Sequence, residues 1–216
     1  MKISAKQYRE FYIGCIRLYG VIDSDSAFDI FKTYYPNSIK DEFLDDLRKR
    51  LSRNSREYTI WTTKKKNIYL IADEGLDDRG IGKLFSLQDN KPFYIPSSLD
   101  TFLKSSSYEY WEEVNKEDIN KLIAILKKCN CPVSELIITL IYPFLQISSL
   151  SEKYNPFNTL LDVFKRMNVN FDEESFTNLL PIIQSLSNNT KLPCNRGFTP
   201  LELKQYYLDN KDIPNC

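Results

Sequence analysis

The sequence contains no histidine, and this absence excludes more kinds of function than any other feature of its composition. Histidine titrates near neutral pH, serves as the usual general base and is a frequent metal ligand. Without it, Ser-His and Cys-His nucleophile pairs and histidine-ligated metal sites are excluded. We therefore expect a non-enzymatic protein with no cofactor and no small-molecule ligand. An enzyme that relies on carboxylates, lysine or tyrosine is a second alternative, although no motif points to one.

The chain also lacks net charge and a long apolar run. Its 29 lysines and arginines balance 29 aspartates and glutamates, so attraction to nucleic acid or to an acidic membrane requires a local patch. The most apolar stretch, residues 132–147, contains Glu135 and Pro143. It is shorter than the ~20 residues of a membrane span. Because the N-terminus lacks the apolar core of a signal peptide, we expect a cytoplasmic protein without membrane contact.

The five cysteines are an odd number at irregular spacings, which predicts reduced thiols in a cytoplasmic chain. Cys129 and Cys131 are close enough in sequence to form half of a metal site. The other half would have to come from Cys194 and Cys216, far along the chain. Structural zinc sites usually use close pairs such as Cys-x-x-Cys, so we expect no metal here.

The first third of the chain has the pattern of three helices and a hairpin. Aromatic and apolar side chains at helical spacing predict a first helix over residues 5–19. A second helix is predicted with Asp23 or Ser24 as its cap, and a third with Ser38 as its cap. Alternating β-branched and aromatic residues then predict a hairpin over residues 57–72. This order is that of a winged helix-turn-helix domain, whose third helix can enter the major groove of DNA.

The remainder of the chain predicts two further parts. Turn residues and glycines indicate an irregular connector over residues 73–111, with one short helix, that packs on the winged-helix-like domain of residues 1–72. Leucine, isoleucine and phenylalanine at helical spacing predict an all-α domain over residues 112–216. The predicted fold class is mainly α with a small β-hairpin. The helices expected in the second domain are residues 116–128, 133–147, 157–167, 173–186 and 200–208.

A basic stretch, residues 47–67, contains eight lysines and arginines and a single acid, Glu57. Such a patch could contact phosphates without reading sequence, with an affinity that depends on salt. The candidate nucleic-acid-binding residues are Arg48, Lys49, Arg50, Arg53, Arg56, Lys64, Lys65 and Lys66.

Two observations oppose a sequence-reading role for this stretch. The first turns of the predicted third helix carry Asp41, Glu42, Asp45 and Asp46, which would repel a phosphate-lined groove. Basic residues are also common at helix C-termini and hairpin tips for structural reasons. We therefore expect protein–protein contacts with an unidentified partner as the main function. Binding of DNA or RNA is the alternative.

The closing stretch, residues 186–203, reads LSNNTKLPCNRGFTPLEL. It resembles the closing motif of a bacterial family from Firmicutes, Asn-Thr-Arg-x-x-x-Asn-Arg-Gly-x-Thr-Pro-x-Glu-Leu, with Lys191 where arginine is usual. Residues 11–31 and 91–104 are similar to the start and middle of the same proteins. The family has no established activity, so the resemblance supports the architecture and leaves the function open. Its members often carry a cysteine-rich metal-binding tail of the SEC-C type, and no such cluster follows the motif here. The matching residues are Asn189, Thr190, Asn195, Arg196, Gly197, Thr199, Pro200, Glu202 and Leu203.

Most of this motif has a structural explanation. Thr199 is a good helix N-cap, Pro200 suits the first turn, and Glu202 is at the capping-box position. Gly197 can adopt a left-handed conformation before the helix. Asn195 and Arg196 have no such explanation, and they are the motif residues of unknown role that could bind a ligand.

Overall fold

The structure is a computed structural model that describes residues 3–51, 58–62, 69–73, 76–105, 107–131, 135–148 and 155–210, with 135–139 and 147–148 described by their backbone alone. Across these residues the chain forms eleven α-helices and three β-strands. It divides into two compact units, Met1–Ser106 and Ser107–Cys216. The predicted fold class, mainly α with a small β-hairpin, is confirmed.

The first unit begins with three helices and one short strand. These are α1 (Ala5–Tyr19), β1 (Val21–Asp23), α2 (Ser24–Tyr34) and α3 (Lys40–Arg50). All three helices follow the predicted positions, because their apolar faces have a clear helical period.

Of the two helix caps predicted here, the cap of α2 is confirmed and the cap of α3 is not. The carboxylate of Asp23 accepts hydrogen bonds from the backbone N–H groups of Asp25 and Ser26 and so caps α2. The expectation that Ser38 caps α3 is wrong. Ile39 occupies the N-cap position with an extended backbone and no side-chain cap, so Ser38 lies one residue too early.

The hairpin consists of β2 (Thr59–Thr62) and β3 (Tyr69–Ala72), and β1 completes an antiparallel sheet in the order β1-β3-β2. Ile71 of β3 is paired with a residue of each neighbouring strand. The element order of helix, strand, two helices and two strands makes the unit winged-helix-like. The sequence did not predict β1, because three residues are too few to show an alternating pattern.

An aromatic core holds this unit together. The ring of Phe11 lies 4.9 Å from that of Phe31 and 5.5 Å from that of Phe102, measured between centroids. Phe102 belongs to α5 (Leu99–Ser105), which packs on α1 where Gly14 leaves room. A Cβ atom at Gly14 would lie 2.4 Å from Cε1 of Phe102, so only glycine allows this approach.

Residues 73–111 differ from the irregular connector that the sequence predicts. They contain α4 (Asp78–Gln88), α5 and part of a further helix. Asp77 caps α4 by accepting a hydrogen bond from the backbone N–H of Gly80 at 2.7 Å. Two glycines inside α4 lower its helix propensity and obscured it in the sequence. The buried amide of Gln88 donates to the backbone oxygen of Tyr19 at 2.6 Å, which fixes the end of α4 to the end of α1.

The second unit is helical over the residues that the structure describes. The helices predicted from residue 116 onward are present, and one more precedes them. Its Trp111 is buried and donates its indole N–H to the hydroxyl of Thr190 at 2.9 Å. No described helix of either unit is long and apolar enough to cross a membrane. The helices of this unit are α6 (Tyr108–Val114), α7 (Lys116–Lys128), α8 (Glu135–Ser148), α9 (Pro156–Arg166), α10 (Glu173–Asn188) and α11 (Pro200–Asn210).

Candidate interaction surfaces

Arg50, at the end of α3, is engaged inside the first unit. Its Nε donates to Asp46 at 2.5 Å, and its Nη1 donates to the hydroxyl of Tyr58 at 3.1 Å. Its Nη2 donates to the backbone oxygen of Ala5 at 2.8 Å, and the guanidinium lies over the ring of Tyr12. The side chain of Arg50 is 11% exposed. This arginine therefore joins α1, α3 and the residue that precedes β2, and little of it is left for a phosphate.

Arg48 is exposed but also has partners in the chain. It forms an ion pair with Asp45, and its Nε donates to the hydroxyl of Tyr69 at 3.0 Å. Lys49 lies between these two arginines with an exposed side chain. Of the eight basic residues that the sequence singles out, these three are described. The other five, Arg53, Arg56, Lys64, Lys65 and Lys66, lie outside the described residues.

The exposed side of α3 carries both signs of charge. Asp41, Glu42 and Asp45 are exposed along it. Lys40, at its start, pairs with Asp25 of α2 at 2.7 Å. The described part of α3 therefore offers no uniformly basic face to a nucleic acid.

The closing motif forms the predicted start of α11. The backbone N–H of Thr199 donates to Glu202 at 2.8 Å, and the N–H of Glu202 donates to the hydroxyl of Thr199 at 3.1 Å. This reciprocal pair is a capping box. Gly197 has a φ of 82°, so the expected left-handed conformation is also confirmed.

Lys191 gives the motif a second role in the fold. It is buried, and its Nζ donates to both carboxylate oxygens of Glu202 at 2.7 and 2.6 Å. Burial lowers the pKa of Lys191, and the charge of Glu202 partly opposes that effect. The backbone oxygen of Lys191 accepts a hydrogen bond from Gln146 of α8 at 3.1 Å. The pair therefore fastens α11 to the helical unit.

Asn195 is the last residue of a 3-10 helix, Pro193–Asn195, and Arg196 follows it as the C-cap. Arg196 adopts a left-handed backbone with a φ of 48°, and its N–H donates to the oxygen of Pro193 at 3.0 Å. The thiol of Cys194 lies 3.8 Å from the side-chain oxygen of Asn195. Both residues have contacts within the chain.

The four described cysteines form no disulfide with one another. Cys15, Cys131 and Cys194 are buried, and Cys129 is half-buried. Burial raises the pKa of the Cys15 and Cys131 thiols, which favours their protonated form. Within the described ranges, no three cysteines or acids are grouped in a way that could hold a metal ion. Cys216 lies outside those ranges.

An exposed apolar surface lies on α10. Phe176 and Leu180, one turn apart, are 38% and 42% exposed. The ring of Phe176 and the half-buried ring of Phe157 from α9 form a T-shaped pair, with 5.4 Å between centroids. We call Phe157, Phe176 and Leu180 the α10 patch. Sequence analysis did not single it out, because three- and four-residue spacing predicts a helix but does not distinguish an exposed apolar side chain from a buried one.

The N-terminal end of α10 beside this patch is acidic. Asp172, Glu173 and Glu174 line a shallow depression together with Thr177 and Asn178. The carboxylate of Glu174 pairs with Lys128 of α7 at 2.8 Å, and both side chains are largely exposed. The α10 sequence itself contains no lysine or arginine. Negatively charged residues therefore adjoin the apolar patch at the N-terminal end of α10.

No protein-family model matches the chain, and neither a curated protein nor a solved structure shows significant similarity to it. The winged-helix-like description of the first unit therefore depends on its element order and strand pairing. The resemblance to the Firmicutes family stays a prediction.

Proposed function

We propose that the protein is a non-enzymatic interaction protein that acts through protein–protein contacts. The observation that carries this proposal is the α10 patch. Single exposed apolar residues are ordinary on a protein surface. Adjacent aromatic and aliphatic side chains next to a polar rim are typical of binding sites instead.

The buried charges support a non-enzymatic role. Lys191 is buried and pairs with Glu202, whose side chain is 40% exposed, and the capping box and the attachment of α11 depend on these two residues. Arg50 and Asp46 have the same kind of role in the first unit. In both places the charged groups pair with each other and with neighbouring backbone or side-chain groups, so their structural role explains their position.

The proposal is tested by affinity capture from a nuclease-treated lysate of the source cells. Wild-type protein is compared with a Phe176→Ser/Leu180→Ser variant. A matched control is Leu201→Ser/Leu208→Ser on α11, where the two leucines are 49% and 50% exposed. We expect the wild type and the control to capture a common set of proteins after nuclease treatment. Loss of every specific protein after nuclease treatment of the wild-type sample would reject a protein-contact function.

Nucleic-acid binding is a second candidate, and it draws support from the winged-helix-like order of the first unit. That order places the basic end of α3 beside the hairpin, where Arg48 contacts Tyr69 at the start of β3. Anisotropy with random duplex DNA, single-stranded DNA and RNA at about 50 and about 200 mM salt tests this candidate. It predicts salt-sensitive binding and a shallower salt dependence when Lys64, Lys65 and Lys66 are changed to glutamate. Absence of binding at the lower salt would eliminate it.

A further inference from the structure

A single line of side chains along α10 changes from exposed to buried. Phe176, Leu180, Ile183 and Ser187 follow each other at spacings of four, three and four residues, which places them on one side of a helix. Ile183 and Ser187 are buried, whereas Phe176 and Leu180 are not. Among the residues that the structure describes, this side of α10 is therefore packed against other side chains at Ile183 and Ser187 and exposed to solvent at Phe176 and Leu180. The apolar stripe continues for about two turns beyond the packed residues.

The shape of this surface suits a helix. Side chains four residues apart form a ridge along α10, and a second helix packs by fitting its own ridges beside such a row. Phe157 of α9 borders the row, since its ring touches that of Phe176. A short amphipathic helix packed on the first two turns of α10 would bury Phe176 and Leu180 as Ile183 is already buried. This is the groove mode of peptide recognition, with anchors at three- and four-residue spacing.

The negative charge beside the patch favours a bound helix that is positively charged. Asp172, Glu173 and Glu174 carry three negative charges, and Lys128 opposes one of them. A cationic partner gains attraction at this end, whereas an acidic partner is repelled. A second copy that presents its own α10 would bring further carboxylates and no cation from that helix. Charge therefore favours a basic partner over self-association.

We propose that the α10 patch binds a cationic amphipathic helix of a partner protein. This inference rests on the proposed function and names the surface and the class of partner. Phe176 and Leu180 supply the apolar contact, and the acidic end of α10 orients the basic residues of the bound helix. The affinity has an apolar component that is insensitive to salt and an electrostatic component that falls as salt rises.

The first test uses two fluorescein-labelled peptides of about 18 residues, or five helical turns. Both have leucine at the same positions of an amphipathic helix, and the polar positions are all lysine in one and all glutamate in the other. We expect the lysine peptide to bind wild-type protein at least roughly tenfold more tightly than the glutamate peptide. Phe176→Ser/Leu180→Ser should weaken lysine-peptide binding by roughly tenfold or more, whereas Leu201→Ser/Leu208→Ser should leave it unchanged.

A second variant, Glu173→Lys/Glu174→Lys, tests the charge without touching the apolar residues. It should weaken the lysine peptide and strengthen the glutamate peptide. Circular dichroism melts establish that each variant is folded. Equal affinities of the two peptides, or lysine-peptide binding that survives both variants, would overturn the inference. If the nuclease-resistant protein capture also survived in Phe176→Ser/Leu180→Ser, the protein-contact function would stand while this surface would be rejected.

Discussion

The replacement of Arg50 by methionine separates a structural role from a phosphate-binding role at the end of α3. The change removes the ion pair with Asp46 and the hydrogen bonds to Tyr58 and Ala5. Loss of one partner from a fully buried ion pair costs about 3–5 kcal/mol. The side chains of Arg50 and Asp46 are 11% and 16% exposed, so solvent can reach the remaining carboxylate. We therefore expect the first unit to lose about 2–3 kcal/mol of stability.

Lys49→Met is the matched control, because it removes the same charge from the neighbouring position. Lys49 is exposed, and its substitution should change stability by less than about 0.5 kcal/mol. Pulse-labelling hydrogen exchange in a urea series, read on peptides from α1 to α3, follows the first unit separately from the second. Equal losses for the two variants would refute the reasoning that Arg50 joins the helices and the hairpin.

Three further predictions concern packing, a buried charge and pH. Gly14→Ala should lower the stability of the first unit by about 1–3 kcal/mol in urea unfolding, since the new Cβ clashes with the Phe102 ring of α5. In Gly82→Ala the new Cβ has no such neighbour within 4 Å, so this variant should be neutral or more stable by up to about 1 kcal/mol. Lys191→Met should destabilise the second unit by about 1–2 kcal/mol, because it leaves the carboxylate of Glu202 without its cation but that side chain is 40% exposed and solvent can reach it, and Lys191→Arg should lose less, as followed by hydrogen exchange in α10 and α11. Burial raises the pKa of Tyr12 and of other core tyrosines, so their stabilising contribution is complete below the ordinary tyrosine pKa of about 10 and is lost as pH rises above it.

Equal stability of Gly14→Ala and Gly82→Ala would mean that α5 does not approach α1 closely. Unchanged stability of the second unit in Lys191→Met would mean that the ion pair with Glu202 does not hold α11 in place. For the pH prediction, the tyrosinate absorbance of the buried tyrosines should rise together with the loss of ellipticity. Ionisation of all tyrosines near pH 10 without unfolding would contradict burial of Tyr12.

Sequence reasoning succeeded where local patterns decide the structure. Helical spacing of apolar residues located the helices of both units, and the side-chain chemistry of Asp23 and Thr199 located two of their starts. It failed where tertiary contacts decide. β1 forms because β3 pairs with it, and three residues carry no period of their own. Gly80 and Gly82 made α4 look irregular, although Asp77 caps it.

The candidate sites were less predictable than the fold, because charge in a sequence does not reveal its partner. Arg50 was expected as part of a basic patch, but its carboxylate, phenol and backbone partners occupy it. Lys191 and Glu202 are eleven residues apart, and only the folded turn between them brings them together. The exposure of Phe176 could not be read from its spacing, since a core residue has the same spacing.

The most direct test of the account is site-specific photo-crosslinking in the source cells. A photoreactive phenylalanine analogue replaces Leu180 in one protein and, as a control, Leu208 in another, since both side chains are exposed. The account predicts discrete protein crosslinks at position 180 that persist after nuclease treatment and are absent at position 208. Crosslinks that are the same at both positions, or that disappear with the nucleic acid, would contradict a function carried by protein contacts at the α10 patch.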